Sequence, residues 1–245
     1  MPPLTGGCLR CFAMPKPHRK YVDRVNEAIR RFVDELAADP AVRGIILFGS
    51  HARGNARADS DADLVILGER DQFEMGFAER DGQKFELLRW SEAVAIRYAM
   101  DNRDQAADFW QVAEILYDPD GAAARMRDHA AEMLADGKPP MGEARRAWSR
   151  WASEDRLDAA AGLAADDPTA AHMVLHERVI DLTATFFDVR GQWTPPTKRR
   201  AARIADLDPG VHGLLTAIYA DGASFEDQLA LARRMLPLIY DDAST

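Results

Sequence analysis

Every convincing β-strand pattern in this chain of 245 residues lies before one turn, Asp118-Pro119-Asp120-Gly121. Before that turn, short runs rich in β-branched and aromatic residues alternate with polar loops, which predicts a mixed domain of strands and helices. After it, apolar residues recur at helical spacing, which predicts a helical bundle. The expected fold class is therefore α+β, with a small mixed sheet and its flanking helices followed by an all-α bundle.

These patterns divide the chain into three predicted regions. Residues 1–17 contain several Pro and Gly residues and are expected to form a disordered tail, residues 18–120 form the mixed domain, and residues 121–245 form the bundle. Cys8 and Cys11 are the only cysteines, so a disulfide framework is excluded for the body of the chain, and a lone CxxC argues against structural zinc. With no apolar run long enough to span a bilayer, these features predict a cytoplasmic protein.

The expected elements follow from apolar periodicity and from capping residues. In the first half, a helix is predicted over 18–39 and strands over 43–50, 61–67, 83–90 and 114–118. In the second half, helices are predicted over 121–136, 141–164, 168–190, 209–220 and 225–239. Asp167 and Asp208 each place an N-cap before a proline, and Ser224 with Asp227 resembles a capping box.

The net charge favours some classes of binding partner over others. The chain has 31 Lys and Arg against 40 Asp and Glu, for a formal net charge of −9. Long-range steering by such a charge disfavours nucleic acid and favours metal ions and cationic small molecules. No basic or helix-hairpin-helix segment that could hold DNA is evident, so a nucleic-acid polymerase is the weakest interpretation.

Asp61 and Asp63 form the most informative pair of acids. They are spaced by two in a predicted strand, so both carboxylates point to the same face of the sheet. Adjacent carboxylates repel one another unless a cation lies between them, and oxygen ligands of this kind suit Mg²⁺. Glu86, in the next predicted strand, is a candidate third acid for a two-metal reaction. The alternative is that Glu86 is an exposed residue of an edge strand.

The segment before the acids has the features of a phosphate-binding turn. Gly49 ends a buried strand, and the missing Cβ atom lets a ligand or a backbone approach closely. Ser50 follows at what looks like a helix start, where free N–H groups bind phosphate. Arg53, one turn later, is either an additional phosphate-binding cation or a surface charge.

The motif GSHARG followed by SDADLVI resembles the signature of the polymerase-beta-type nucleotidyltransferases. The resemblance implies an NTP and two Mg²⁺ ions, with attack by an acceptor hydroxyl on the α-phosphate. It implies that Gly49 and Ser50 contact the β- and γ-phosphates, that Asp61 and Asp63 hold the metals, and that Glu86 is the third acid or the general base. Ser60, inside the SDxDL part of the signature, is included among the nucleotide-binding residues.

The helical half is similar to small-molecule nucleotidyltransferases whose bundle contains an apolar helix, a W-x-P turn and a lysine. Here these features occur in FFDVRGQWTPPTKRR, and Lys198 is the matching lysine. Enzymes of this kind adenylylate lincosamide and aminoglycoside antibiotics. The resemblance implies transfer of AMP from ATP to a hydroxyl of a small molecule, and a homodimer is one assembly that it implies.

Two other functions stay open at this point. One is a protein-modifying or antitoxin-like nucleotidyltransferase with a protein acceptor, and the other is a non-catalytic nucleotide-binding module.

Aromatic and imidazole side chains in the second half have less specific interpretations. Trp148, Trp151, Phe186 and Phe187 are expected in the bundle core, and the alternative is that they line an acceptor pocket. His172 and His176 are expected on a polar or half-buried helix face rather than in a metal site.

Overall fold

The structure is a computed structural model that describes residues 25–69 and 71–241. The described chain separates into two compact units that divide between Asp136 and Gly137. The tail predicted over residues 1–17 lies outside the described residues, as does the first part of the helix predicted over 18–39.

The first unit contains a five-stranded sheet and the helices around it. In this unit the four predicted strands and the first predicted helix are all observed, the strands to within a few residues of the predicted bounds. The strands are β1 (Gly44–Phe48), β2 (Ala62–Leu67), β3 (Glu74–Arg80), β4 (Gln83–Trp90) and β5 (Glu114–Tyr117). The helices are α1 (Glu27–Ala37), α2 (Gly49–Arg53), α3 (Glu92–Asp101), α4 (Arg103–Trp110) and α5 (Ala122–Leu134).

The strands lie in the order β3-β4-β2-β1-β5. The central pair, β2 and β4, is parallel, and the other neighbouring strands are antiparallel. Strand β3 was not predicted, and it makes a tight hairpin with β4. Asp81 and Gly82 at the turn both have positive φ, 51° and 75°, as a two-residue hairpin loop requires. Because β3 occupies the edge of the sheet, β4 is an inner strand, and Glu86 does not lie on an edge as the alternative interpretation supposed.

Two apolar cores lie on opposite faces of this sheet. Alternation along β2 and β4 directs Leu64, Ile66, Phe85 and Leu87 to the face that α1 covers. On the opposite face, Val65, Leu67 and Trp90 meet residues of α3, α4 and α5. Each of these two strands therefore divides its side chains between two cores.

Helix α5, which we predicted as the first helix of the bundle, packs on the sheet instead. Ala122, Ala123, Met126 and Ala130 are buried in the core that contains Ile46 of β1. The start of α5 is held by Asp118, whose carboxylate accepts hydrogen bonds from the N–H groups of Ala123 and Ala124 at 2.9 and 3.0 Å. The two compact units consequently divide after α5, whereas the sequence pattern placed the boundary at residues 120 and 121.

The second unit is helical throughout its described part. Its helices are α6 (Glu143–Leu163), α7 (Pro168–Val189), α8 (Thr197–Leu207), α9 (Pro209–Ile218) and α10 (Phe225–Tyr240). All of them except α8 were predicted. The three predicted caps are confirmed, since the side chains of Asp167, Asp208 and Ser224 accept from the N–H groups of Ala170, Val211 and Asp227.

Four aromatic residues of the bundle were predicted in its core, and two of them are buried there. Phe186 and Phe187 lie in the core of the unit, as predicted. Trp148 and Trp151 are 66% and 60% exposed, so their assignment to the core was wrong. Helix α6 buries Ser153, Leu157 and Ala160 instead, and the two tryptophans lie outside that stripe. No helix within the described ranges is long and apolar enough to cross a membrane.

Candidate active site

Asp63 and Glu86 lie side by side on the two parallel strands at the centre of the sheet. Asp63 of β2 is the register partner of Glu86 of β4. Register partners on neighbouring strands project from the same face, with Cβ atoms about 5 Å apart. Both residues are half-buried; Asp63 is the second residue of β2, and Glu86 is the fourth of the eight residues of β4. The sheet thus presents two carboxylates next to one another on one face.

The two acids belong to a row of four register partners that crosses the sheet. Phe48 of β1 pairs with Asp63, and Phe77 of β3 pairs with Glu86. The row therefore reads Phe77, Glu86, Asp63 and Phe48 from the edge strand inwards. Phe48 packs against Phe109 of α4, with ring centroids 4.9 Å apart. An aromatic ring thus flanks the acid pair on each side.

Asp61 occupies a different environment from Asp63. Strand β2 begins at Ala62, one residue later than predicted, so Asp61 is the last residue of the preceding loop and is exposed. Within the described residues, no group of three or more His, Cys, Asp and Glu side chains converges closely enough to hold a metal ion. Mg²⁺ usually binds one or two carboxylates and completes its shell with water and phosphate oxygens, so the Asp63–Glu86 pair still suits this ion.

Gly49 brings the backbone of the β1–α2 junction against the carboxylate of Asp63. Its φ is +70°, and an added Cβ atom would lie 1.7 Å from Oδ2 of Asp63. Only glycine can combine this backbone conformation with this close approach. Helix α2 starts at Gly49 without a side-chain cap, and buried Ala52 anchors it to the core. Ser50, half-buried in the first turn of α2, directly follows the glycine that lies against Asp63.

The loop between α2 and β2 is held in place at Ser60. Its carbonyl oxygen accepts a hydrogen bond from Nε2 of Gln83 at 2.9 Å and lies 3.3 Å from Nε2 of His51. Its hydroxyl accepts from the N–H of Arg57 at 2.9 Å. Since a carbonyl can only accept, the bond from His51 requires the proton on Nε2. These bonds fix the residue immediately before Asp61, and the side chain of Ser60 stabilises the loop.

The guanidinium of Arg53 is engaged by α4. Nη2 donates to both the backbone oxygen and Oδ2 of Asp108, each at 3.0 Å. The side chains of the two residues are only 15% and 18% exposed, and burial lowers the pKa of Arg53. Arg53 thus links α2, which carries Gly49 and Ser50, to α4. Its predicted role as a phosphate ligand stays a prediction.

Lys198 lies in the other compact unit, exposed in the first turn of α8. Its assignment to the nucleotide therefore stays a prediction.

In the same unit, the rings of His172 and His176 stack with centroids 6.1 Å apart. One side chain is exposed and the other is half-buried, as expected for a polar helix face. His172 Nδ1 lies 2.8 Å from the backbone oxygen of Pro168.

Two supporting residues escaped the sequence reasoning. His51 lies inside the motif GSHARG but was not among the predicted site residues, and Gln83 was predicted only as the first residue of a strand. Both converge on Ser60, from positions 9 and 23 residues away along the chain. Phe77 was missed together with β3. Its only local signal was the alternation of Met75 and Phe77, which the glycine between them weakens.

A family model matches the part of the chain that contains the candidate site. Residues 27–112 match the model of a family described as "Nucleotidyltransferase domain". This segment runs from the start of α1 to just beyond α4 and contains all the residues of the first unit discussed above as candidate ligands. No curated protein matches the chain. Among solved structures, the chain is similar to the nucleotidyltransferase-like protein from Exiguobacterium sibiricum 255-15, with 18% sequence identity and a TM-score of 0.48, over 88% of this chain and 74% of that chain.

Proposed function

We propose that this chain, whose residues 27–112 form a nucleotidyltransferase domain, transfers AMP from ATP to a hydroxyl group of a small-molecule acceptor. Transfer of a nucleoside monophosphate is the general activity of such a domain. The observation that carries the proposal is the pairing of Asp63 with Glu86 on parallel strands, directly beside the close approach of Gly49. A backbone turn and two carboxylates are what binding of a metal–triphosphate complex requires.

Each residue at the junction has a distinct part in this proposal. The backbone at Gly49 and the hydroxyl of Ser50 bind the β- and γ-phosphates, and the missing Cβ atom lets this turn lie against the carboxylate of Asp63. Asp61 and Asp63 hold Mg²⁺, and Glu86 either shares a second ion or acts as the general base. Bound Mg²⁺ neutralises the charge of the phosphate oxygens and orients them. Arg53 supports the phosphate-binding turn indirectly, because its pairing with Asp108 holds α2 in place.

The proposed reaction is an in-line displacement at the α-phosphorus. The acceptor oxygen forms a bond to phosphorus while the bond to the oxygen bridging the α- and β-phosphates breaks, and pyrophosphate leaves. The acceptor proton passes to a base, for which Glu86 is the candidate because it adjoins Asp63. Most of the rate enhancement in such a reaction comes from positioning and charge neutralisation.

Pyrophosphate release tests the proposal directly. The purified protein is incubated with Mg²⁺ and each NTP in turn, against a panel of aminoglycosides, lincosamides and simple polyols. Asp61→Asn and Asp63→Asn serve as blanks, and Asp59→Asn, an exposed acid of the same loop, is the matched control. We expect acceptor-dependent release that both blanks lose and the control retains. Release that persists in both blanks, or that no acceptor stimulates, contradicts the proposal.

A further inference from the structure

Edge strand β3 and the residue before it expose three apolar side chains at alternate positions. Phe77, Met75 and Phe73 are 73%, 53% and 50% exposed. We call these three residues the apolar strip. Four residues of extended chain span about 13 Å, so the strip has the length of a small molecule. Exposed apolar surface that is contiguous in this way usually marks a binding surface.

The apolar strip lies on the same face of the sheet as the two acids. Phe77 is the register partner of Glu86, and Met75 is the partner of Leu88, the next residue of β4 on that face. Phe73 continues the strip, with its ring centroid 5.4 Å from that of Trp90. The strip thus starts beside Glu86 and runs away from it along β3.

The order of groups across the sheet matches the order of groups in an in-line reaction. From β1 to β3 the row reads Phe48, Asp63, Glu86 and Phe77. Gly49 directly follows Phe48, and its backbone lies against the carboxylate of Asp63. In-line displacement places the leaving pyrophosphate and the attacking oxygen on opposite sides of the α-phosphate. If the β- and γ-phosphates lie at Gly49, the attacking oxygen lies on the Glu86 side. The part of the acceptor that bears this oxygen then lies next to Phe77.

We infer that the apolar strip binds the non-reacting part of the acceptor, an inference that rests on the proposed function. The acceptor class that fits is an amphiphilic hydroxyl compound, in which a sugar or polyol hydroxyl is joined to an aromatic or aliphatic group. The hydroxyl reaches Glu86 while the apolar group covers Phe77 and Met75. Phe77 and Met75 are accordingly determinants of acceptor specificity.

Charged residues on β3 argue against a second copy of the chain as the occupant. Glu74, Glu79 and Arg80 lie on the same strand as the apolar strip, and Arg80 pairs with Glu35 through two hydrogen bonds of 3.2 Å. Charged side chains along an edge strand hinder pairing with another sheet. A small molecule that covers the strip from the face of the sheet does not meet this obstacle.

Binding of two matched glucosides tests the inference. The protein is loaded with Mg²⁺ and α,β-methylene-ATP, which cannot transfer AMP, and titrated calorimetrically with phenyl β-D-glucoside or methyl β-D-glucoside. Because the two probes differ only in their apolar group, we expect phenyl glucoside to bind about tenfold more tightly. In Phe77→Ser and in Met75→Ser the preference falls severalfold, and Phe77→Leu retains part of it.

Met100→Ser is the matched control for Met75→Ser. Met100, on α3, is 52% exposed against 53% for Met75, so the two substitutions remove similar exposed apolar area. The control keeps the preference for phenyl glucoside, and all variants bind α,β-methylene-ATP as the unaltered protein does. Size-exclusion chromatography of the same variants detects any role of the strip in self-association.

Equal binding of the two glucosides, binding of neither, or a preference that Phe77→Ser leaves unchanged would overturn the inference. A change of oligomeric state in Phe77→Ser without a change in glucoside preference would overturn it in favour of a second copy. These results leave the proposed function intact as long as acceptor-dependent pyrophosphate release is lost in Asp63→Asn. Absence of any such release overturns the proposed function, and the inference with it.

Discussion

The backbone of Gly49 lies so close to the carboxylate of Asp63 that a Cβ atom at position 49 would be 1.7 Å from Oδ2. The two residues are 14 positions apart and meet because β1 and β2 are antiparallel neighbours, with Phe48 opposite Asp63. This contact joins the proposed phosphate-binding turn to the proposed metal-binding acid. A change at either residue should therefore disturb both functions.

Gly49→Ala should be severely damaging. The left-handed backbone alone costs a residue with a side chain about 1–2 kcal/mol, and here the new methyl group also displaces the carboxylate of Asp63. We expect a loss of stability larger than that figure in urea denaturation and loss of acceptor-dependent pyrophosphate release.

Gly82→Ala separates the two causes. Gly82 has a similar φ of +75°, and nothing lies within 4 Å of an added Cβ atom there. The Gly82→Ala control should lose only the stability that corresponds to the backbone cost, and it should keep its activity. Equal losses in the two variants would show that the contact with Asp63 has no energetic effect.

Arg53 and Asp108 should show coupling in a double-mutant cycle. Both side chains are more than four-fifths buried and share a 3.0 Å hydrogen bond, so we expect a coupling free energy of about 1–2 kcal/mol. The KM for ATP distinguishes the two roles of Arg53. A purely structural Arg53 gives similar KM changes in Arg53→Ala and Asp108→Ala. A large rise in Arg53→Ala alone would establish a direct contact with phosphate.

Gln83→Leu should weaken metal binding while costing little stability. The substitution removes the 2.9 Å hydrogen bond to the carbonyl of Ser60, next to Asp61, while β4 keeps its backbone pairing. We expect a cost of about 1 kcal/mol in denaturation and a severalfold weaker affinity for Mn²⁺, measured by the electron paramagnetic resonance of the free ion. Gln111→Leu, at an exposed position of the same unit, is the control. Identical Mn²⁺ affinities in the two variants would rule out a positioning role for Gln83.

Tyr240→Phe should destabilise the helical unit without affecting nucleotide transfer. The hydroxyl of Tyr240 lies 2.8 Å from that of Ser149 and 3.1 Å from that of Ser153, which is fully buried. Removing a buried partner of this kind costs about 1–2 kcal/mol. Tyr219→Phe, at a residue 49% exposed, should change thermal stability little. Equal shifts in melting temperature would contradict the importance of the buried bonds.

Asp120 should make stability depend on pH in the acid range. A hydrogen bond from Arg43, with Nε 2.7 Å from Oδ2, lowers the pKa of Asp120 in the folded protein below its ordinary value of 3.8. A carboxyl group with a lowered folded-state pKa stabilises the fold above its unfolded pKa and loses this effect as pH falls through the folded value. The difference in melting temperature between the unaltered protein and Asp120→Asn should therefore shrink as pH falls from 6 to below 3.8. A constant difference across that range would contradict the expected linkage.

Local patterns in the sequence predicted much of the fold and of the candidate site. The runs DADLVIL and QKFELLRW were predicted as strands, and both are observed. Asp-Pro pairs located the starts of α7 and α9, because a capping side chain and a proline act within one turn of the chain. Asp61, Asp63 and the Gly49-Ser50 turn could be proposed as site residues from the sequence because each motif is a short pattern of neighbouring residues.

The errors arose where packing overrode local pattern. Strand β3 was missed because Gly76 interrupts it and because Met75 and Phe77 point away from any core. Trp148 and Trp151 have the size and spacing of core residues, yet α6 buries its face with Leu157 and Ala160. Apolar character shows that a side chain can be buried, but only the arrangement of neighbouring elements decides which face of a helix is covered.

Most of the elements, three of their capped ends and the candidate acids could therefore be predicted from local sequence, because they depend on interactions within a few residues. Packing between elements set the register that places Asp63 beside Glu86, the contact of Gly49 with Asp63, the pairing of Arg53 with Asp108, and the position of Phe77 next to Glu86. Such contacts join residues far apart in the chain. Their geometry depends on strand order and packing, which no short pattern encodes.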